Sequence, residues 1–85
     1  MGIAEHVSTD DVAQLVRRVL AERSIDTSVS ADSDLRDAGL TSLDMVALVL
    51  SVEAEFNLTV PEARITPANF RSISAINALV ASLRS

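Results

Sequence analysis

The chain has 85 residues, twelve acids against seven arginines and no lysine, a formal net charge of −5, and 48% apolar residues that are almost all aliphatic. This is one small folded domain with a modest core, and its acidity argues against binding to nucleic acid or to an anionic membrane surface. There is no cysteine to form a disulfide, which fits a reducing, cytoplasmic setting, and the run MVALVLSV is far shorter than the roughly 20 residues a membrane span needs.

Residues 1–7 read as a flexible lead-in, with no basic leader and no apolar run of the kind a signal peptide carries. Met1-Gly2 has the form of a myristoylation start, but His6 stands where Ser or Thr is required. The domain proper is read as 8–85. Its first helix opens at Ser8, which with Asp11 fits a capping box, or at Thr9. Val12, Leu15, Val16, Val19 and Leu20 fall on one stripe. Asp10 and Asp11 lie in the first turn and Arg17, Arg18 and Arg23 further on, as the helix dipole favours.

From Ser24 to Gly39 the chain is rich in Ser and Asp and has no helical period. A loop this long in a small domain normally has a function. Ile25, Val29 and Leu35 are expected to pin it to the core, and Gly39 to supply a flexible or left-handed turn. A second helix is predicted from Ser42 to Phe56. One face carries Val46, Val49, Val52 or Glu53, and Phe56; another carries Leu43, Ala47, Leu50 and Ala54. A small bundle can hardly bury both, so Leu43, Ala47 and Leu50 are read as a docking stripe. Pro61 and Pro67 leave room for at most a short helical turn between them. Ser72 then caps a final helix with Ile73, Ile76, Leu79, Val80 and Leu83 on its apolar face. The fold class is all-α: a small four-helix bundle of three main helices and one short one, with a long loop between the first two.

No catalytic set emerges. The only histidine is in the lead-in, and there is neither Lys nor Cys to act as a covalent nucleophile. Asp32, Asp34 and Asp37 lack the downstream Gly and Glu of a calcium loop, so they read as a solvated acidic loop and no metal site is expected. Glu53 and Glu55 are two residues apart and do not share a helical face. The chain does not read as an enzyme. Ser42 remains, either as an ordinary helix cap or as a seat for a phosphate at a helix start, where free N–H groups and the dipole welcome an anion.

The stretch DLRDAGLTSLDMVALVLSVEAEFNLTV resembles the phosphopantetheine attachment region of acyl and peptidyl carrier proteins. The family pattern maps onto Leu35, Gly39, Leu40, Thr41-Ser42-Leu43, then Glu53, Phe56 and Val60, and the tail ITPANFRSISAINALVASL matches as well. The resemblance covers residues 8–84. It implies a four-helix bundle whose Ser42 carries 4′-phosphopantetheine, transferred from coenzyme A by a phosphopantetheinyl transferase. The arm's thiol would hold an acyl or aminoacyl group as a thioester, loaded by an adenylating ligase or an acyltransferase and passed to a downstream synthase or transferase. Leu43, Asp44, Ala47 and Leu50 would meet these partners, and the carrier would act as a monomer.

The sequence departs from the family pattern in two places. Thr41 replaces the usual Asp before the serine, removing an anion from the expected transferase contact, with Asp37 and Asp44 as candidates to compensate. Ala47 and Ala54 stand where fatty-acid carriers often have glutamate, leaving Asp44, Glu53 and Glu55 as the acids of the second helix. That pattern resembles carriers of specialised pathways (polyketide, nonribosomal peptide or stand-alone aminoacyl carriers) more than those of fatty-acid synthesis. The short ends lean toward a free-standing protein. The rival from another class is an unmodified helical adaptor that binds one partner through Leu43, Ala47 and Leu50, with Ser42 only a cap. Arg64 and Arg71 are assigned no role, because exposed arginines usually have none that is specific.

Overall fold

The computed structural model describes residues 9–25 and 27–84; the lead-in and Ser8, one of the two expected caps, lie outside them. Three α-helices follow in order: α1 (Thr9–Glu22), α2 (Ser42–Phe56) and α3 (Ile73–Arg84), with a short 3-10 turn at Glu62–Arg64 between the prolines. No strand occurs among the described residues, so the all-helical expectation holds.

α1 packs against both α2 and α3. All five residues of its predicted stripe are buried, together with Leu48, Val49, Val52 and Phe56 of α2 and Ile73, Ile76, Leu79 and Val80 of α3. Full burial of one such aliphatic side chain contributes about 1.5–3 kcal/mol, and this aliphatic seam holds the bundle together in the absence of any cross-link. Leu83 is only partly buried at its edge.

The dipole reading of α1 needs correction: its last turn holds no base. The arginines serve tertiary contacts instead. Arg17 donates to the Val29 carbonyl at 3.0 Å, Arg18 pairs with Glu55 at 3.2 Å, and Arg23 reaches Asp44.

The long loop is fastened on two sides. Val29 and Leu35 are buried and Ile25 packs against the core. The Leu35 amide donates to the Arg71 carbonyl at 2.7 Å, and the Ser74 amide to the Ala31 carbonyl at 2.9 Å, which ties the loop to the start of α3. Ser72 caps α3 as expected, its hydroxyl accepting from the Ala75 amide at 3.1 Å.

Three chain reversals share one device, a left-handed residue that lets the chain fold back on the preceding carbonyls. Ser24 (φ 59°) ends α1, Asn57 (φ 52°) ends α2, and Gly39 (φ 114°) ends a tight turn in the loop.

Candidate functional site

The tight turn just before α2 sets the position of Ser42. Asp37, Ala38 and Gly39 donate in succession to the carbonyls of Asp34, Leu35 and Arg36. The Leu40 amide then reaches back to the Leu35 carbonyl at 3.0 Å, while Gly39 to Arg36 is 3.1 Å. This pair of bonds is a Schellman closure, and it needs positive φ at Gly39. Leu35 and Leu40, the two apolar residues that flank such a closure, are both buried. The chain therefore enters α2 from a fixed point two residues before the serine.

Thr41, not Ser42, is the cap of α2. Its backbone is extended (φ −101°, ψ 177°), and its Oγ1 accepts from the Asp44 amide at 3.2 Å. In return Asp44 Oδ2 accepts from the Thr41 amide at 2.9 Å and from the Thr41 hydroxyl at 2.9 Å. This reciprocal capping box satisfies the helix start. Ser42 is the first helical residue, is exposed, and its hydroxyl has no hydrogen-bond partner among the described residues. Thr is a good cap, so position 41 closes the helix start without carrying a charge.

Asp44, expected to meet partners, is buried instead, with 6% of its surface exposed. Its second carboxylate oxygen accepts from Arg23 Nε. The Thr41 amide, then the Arg23 guanidinium, hold its carboxyl below the ordinary 3.8, against an opposing effect of desolvation. It joins α1 to the start of α2, with both carboxylate oxygens engaged by Arg23 and Thr41.

The outer face of α2 is apolar. Leu43 is 75% exposed, Leu50 60% and Val46 49%. Ala54 is exposed, whereas Ala47 is half-buried and packs against the core. Val46, expected on the buried face, thus belongs to the exposed one, and Leu48 takes its place inside. The run of Val and Leu has apolar residues on nearly every side, which hides the division; counting i, i+3, i+7 from Leu43 yields Val46 and Leu50 directly. All three acids of α2 have internal partners: Asp44 as described, Glu53 accepting from the Val60 amide at 2.9 Å, and Glu55 paired with Arg18.

Beside Ser42 lies an open cleft lined by Leu40, Thr41, Met45, Pro67 and Phe70, with Arg36 and Arg71 completing its wall. In the acidic loop, Asp32 accepts from the Ser74 hydroxyl at 3.0 Å, and Asp34 from the Arg36 amide at 2.9 Å. Asp32 thus helps hold the loop to α3 and Asp34 serves a local turn, and the described residues hold no group of three potential metal ligands. No helix among them is long and apolar enough to cross a membrane.

A free serine hydroxyl fixed at a helix start thus stands next to an uncovered apolar stripe on a small helical bundle. The phosphopantetheine attachment site family matches residues 10–80, and the chain belongs to that family. It is 46% identical over 69 residues to aminoacyl carrier protein 2 of Bradyrhizobium diazoefficiens, covering 81% of this chain and 78% of that protein. Aminoacyl carrier protein 1 of the same organism is 42% identical over 69 residues, covering 81% and 77%. Among solved structures, the fold is similar to the carrier chain in the Bradyrhizobium japonicum glycine:carrier protein ligase complexed with its cognate carrier protein and an analogue of glycyl adenylate. The TM-score there is 0.73 at 39% identity, over 87% of this chain and 96% of that one. Members of the family are carriers rather than enzymes, and their cofactor is 4′-phosphopantetheine.

Proposed function

We propose that this chain is an aminoacyl carrier protein whose arm is attached at Ser42. A phosphopantetheinyl transferase loads the serine from coenzyme A, and an adenylating ligase then charges the arm. The arm supplies the thiol that holds the cargo as a thioester; the chain itself supplies the attachment point and the surface that partners recognise. The observation that carries this reading is the division of labour at the start of α2: Thr41 and Asp44 cap the helix, which leaves the Ser42 hydroxyl available. The amino-acid cargo is supported by the two aminoacyl carrier relatives and by the likeness to a carrier bound by a glycine-activating ligase.

Leu43, Val46 and Leu50, with Ala47 beneath them, form the docking stripe of this reading. Their apolar character supports a specialised pathway, in which a downstream transferase takes the amino acid. Contacts of this kind suit a shuttle, which must release each partner. The protein works as a monomer in the cytoplasm, where loading draws on coenzyme A and ATP.

The test is charging of the holo protein by a glycine:carrier protein ligase with ATP and a panel of amino acids, read by intact mass. The expected result is one aminoacyl group, removed by hydroxylamine as a thioester would be, and none on Ser42→Ala. Charging only by an acyltransferase from acyl-coenzyme A would identify a fatty-acid-type carrier. Partner binding with no arm ever attached would identify an adaptor.

A further inference from the structure

Five of the seven arginines have a defined side-chain partner. Arg17 donates to the Val29 carbonyl, Arg18 pairs with Glu55, Arg23 with Asp44, Arg64 reaches the Ser82 hydroxyl at 3.4 Å, and Arg84 donates to the Phe56 carbonyl at 2.9 Å. Arg36 and Arg71 alone have no side-chain partner among the described residues. These two both line the cleft that Ser42 lines.

Their proximity is built into the backbone. Arg36 follows Leu35, and the Leu35 amide donates to the carbonyl of Arg71 at 2.7 Å, so one main-chain bond brings the two positions together. In a chain with twelve acids and a net charge of −5, two neighbouring cations whose side chains pair with no acid among the described residues are conspicuous. Two cations on the wall of one cleft offer an anion there two sets of donors.

We propose that Arg36 and Arg71 bind the phosphodiester of the phosphopantetheine arm once Ser42 is loaded, and so fix the root of the arm against the cleft. This inference rests on the reading of Ser42 as the attachment point. The phosphodiester is a permanent anion joined directly to the serine oxygen, so it stays at high local concentration in the cleft that both arginines line. Arginine presents a planar fork of donors that suits phosphate oxygens better than a lysine ammonium does. The apolar part of the cleft, Leu40, Met45, Pro67 and Phe70, lies next to that anchor and offers a surface for the first uncharged atoms of the arm. Both arginines are exposed, and in this proposal they act as positioning residues.

The experiment compares holo wild type with holo Arg36→Gln/Arg71→Gln by 31P NMR, after intact mass has established that each carries the arm. It also compares the arginine Nε–Hε signals of apo and holo wild type. The expected result is a 31P resonance in wild type displaced from that of the double variant, with at least half of the displacement lost when salt is raised to about 0.5 M, where charge screening is strong. Arg36 and Arg71 Nε–Hε signals should shift on loading while those of Arg18 and Arg84 stay in place. Coincident 31P resonances in two loaded proteins, or arginine signals unchanged by loading, would overturn this inference and leave the Ser42 reading standing. Failure of wild type to accept the arm would overturn both. Should the double variant not fold, the apo-to-holo comparison of the wild-type arginine signals decides alone.

Discussion

Thr41 and Asp44 cap each other across the first turn of α2. Thr41 Oγ1 accepts from the Asp44 amide at 3.2 Å, and the Thr41 amide donates to Asp44 Oδ2 at 2.9 Å. Ser42 lies between them in sequence and takes no part. Thr41→Ala should therefore destabilise the protein by about 1 kcal/mol, the usual cost of a lost cap, while Thr41→Ser and Thr41→Asp keep most of it. Ser42→Ala should change stability by less than about 0.5 kcal/mol. Urea unfolding followed by circular dichroism separates the two. A loss at Ser42→Ala as large as that at Thr41→Ala would return the capping role to the serine.

Acid stability should carry the mark of the Asp44–Arg23 pair. The folded carboxyl titrates below its ordinary value of 3.8. Its contribution is thus fully present above the unfolded value and is lost as pH falls through the folded one, in the window below about pH 4. Asp44→Asn should lower the melting temperature at neutral pH and flatten the acid limb of the stability curve. Parallel curves for wild type and variant below pH 4 would show that the pair does not stabilise the fold.

The two sides of α2 should respond oppositely. Leu48→Ala empties a fully buried site and should cost about 2–5 kcal/mol. Leu43→Asp, Val46→Asp and Leu50→Glu lie on the exposed face and should leave the helical signal intact with a change under about 0.5 kcal/mol, yet slow charging by the ligase. Unfolding by any of the three would mean that the stripe belongs to the core.

Partner docking should depend weakly on salt. Two of the three acids of α2 are paired with arginines, Asp44 with Arg23 and Glu55 with Arg18, so an interface made there gains little from long-range attraction. The ligase KM for the holo carrier should change less than about threefold between roughly 0.05 and 0.5 M NaCl, a range over which screening removes most surface attraction. A steep rise would place acids from outside α2 in the interface.

Gly39 sets the approach to the site. Its φ of 114° is strained for any residue with a side chain, although a Cβ there would meet Ile25 Cγ2 at an ordinary 3.6 Å. Gly39→Ala should thus cost about 1 kcal/mol through the backbone rather than through a clash, measurable by urea unfolding. A neutral substitution would show that the turn can close in another way.

Much of this was legible in the residue pattern. The stripes of α1 and α3 obey the helical period with polar residues between, so Val12 to Leu20 and Ile73 to Val80 could be assigned to the core directly. The prolines bounded the 3-10 turn, and the glycine marked the reversal before α2. The less legible parts depend on tertiary partners. In α2 the apolar residues are so dense that periodicity cannot tell Val46 from Leu48; only packing against α1 does. Asp44 looked like a surface acid because its partner, Arg23, is 21 residues away. The capping role passed to Thr41 because a Thr–Ser pair offers two caps in a row, and the Asp three residues after the first decides between them. The cleft arginines were invisible as a pair because the bond joining Leu35 to Arg71 is a long-range main-chain contact that carries no sequence signature.

The most direct measurement is intact-protein mass spectrometry after incubation with coenzyme A and a broad-specificity phosphopantetheinyl transferase, with Ser42→Ala and Thr41→Ala in parallel. Wild type and Thr41→Ala should each gain one phosphopantetheine, mapped by peptide sequencing to Ser42, and Ser42→Ala should gain none. No gain in wild type with two different transferases, or an equal gain in Ser42→Ala, would contradict the assignment of Ser42 as the attachment point.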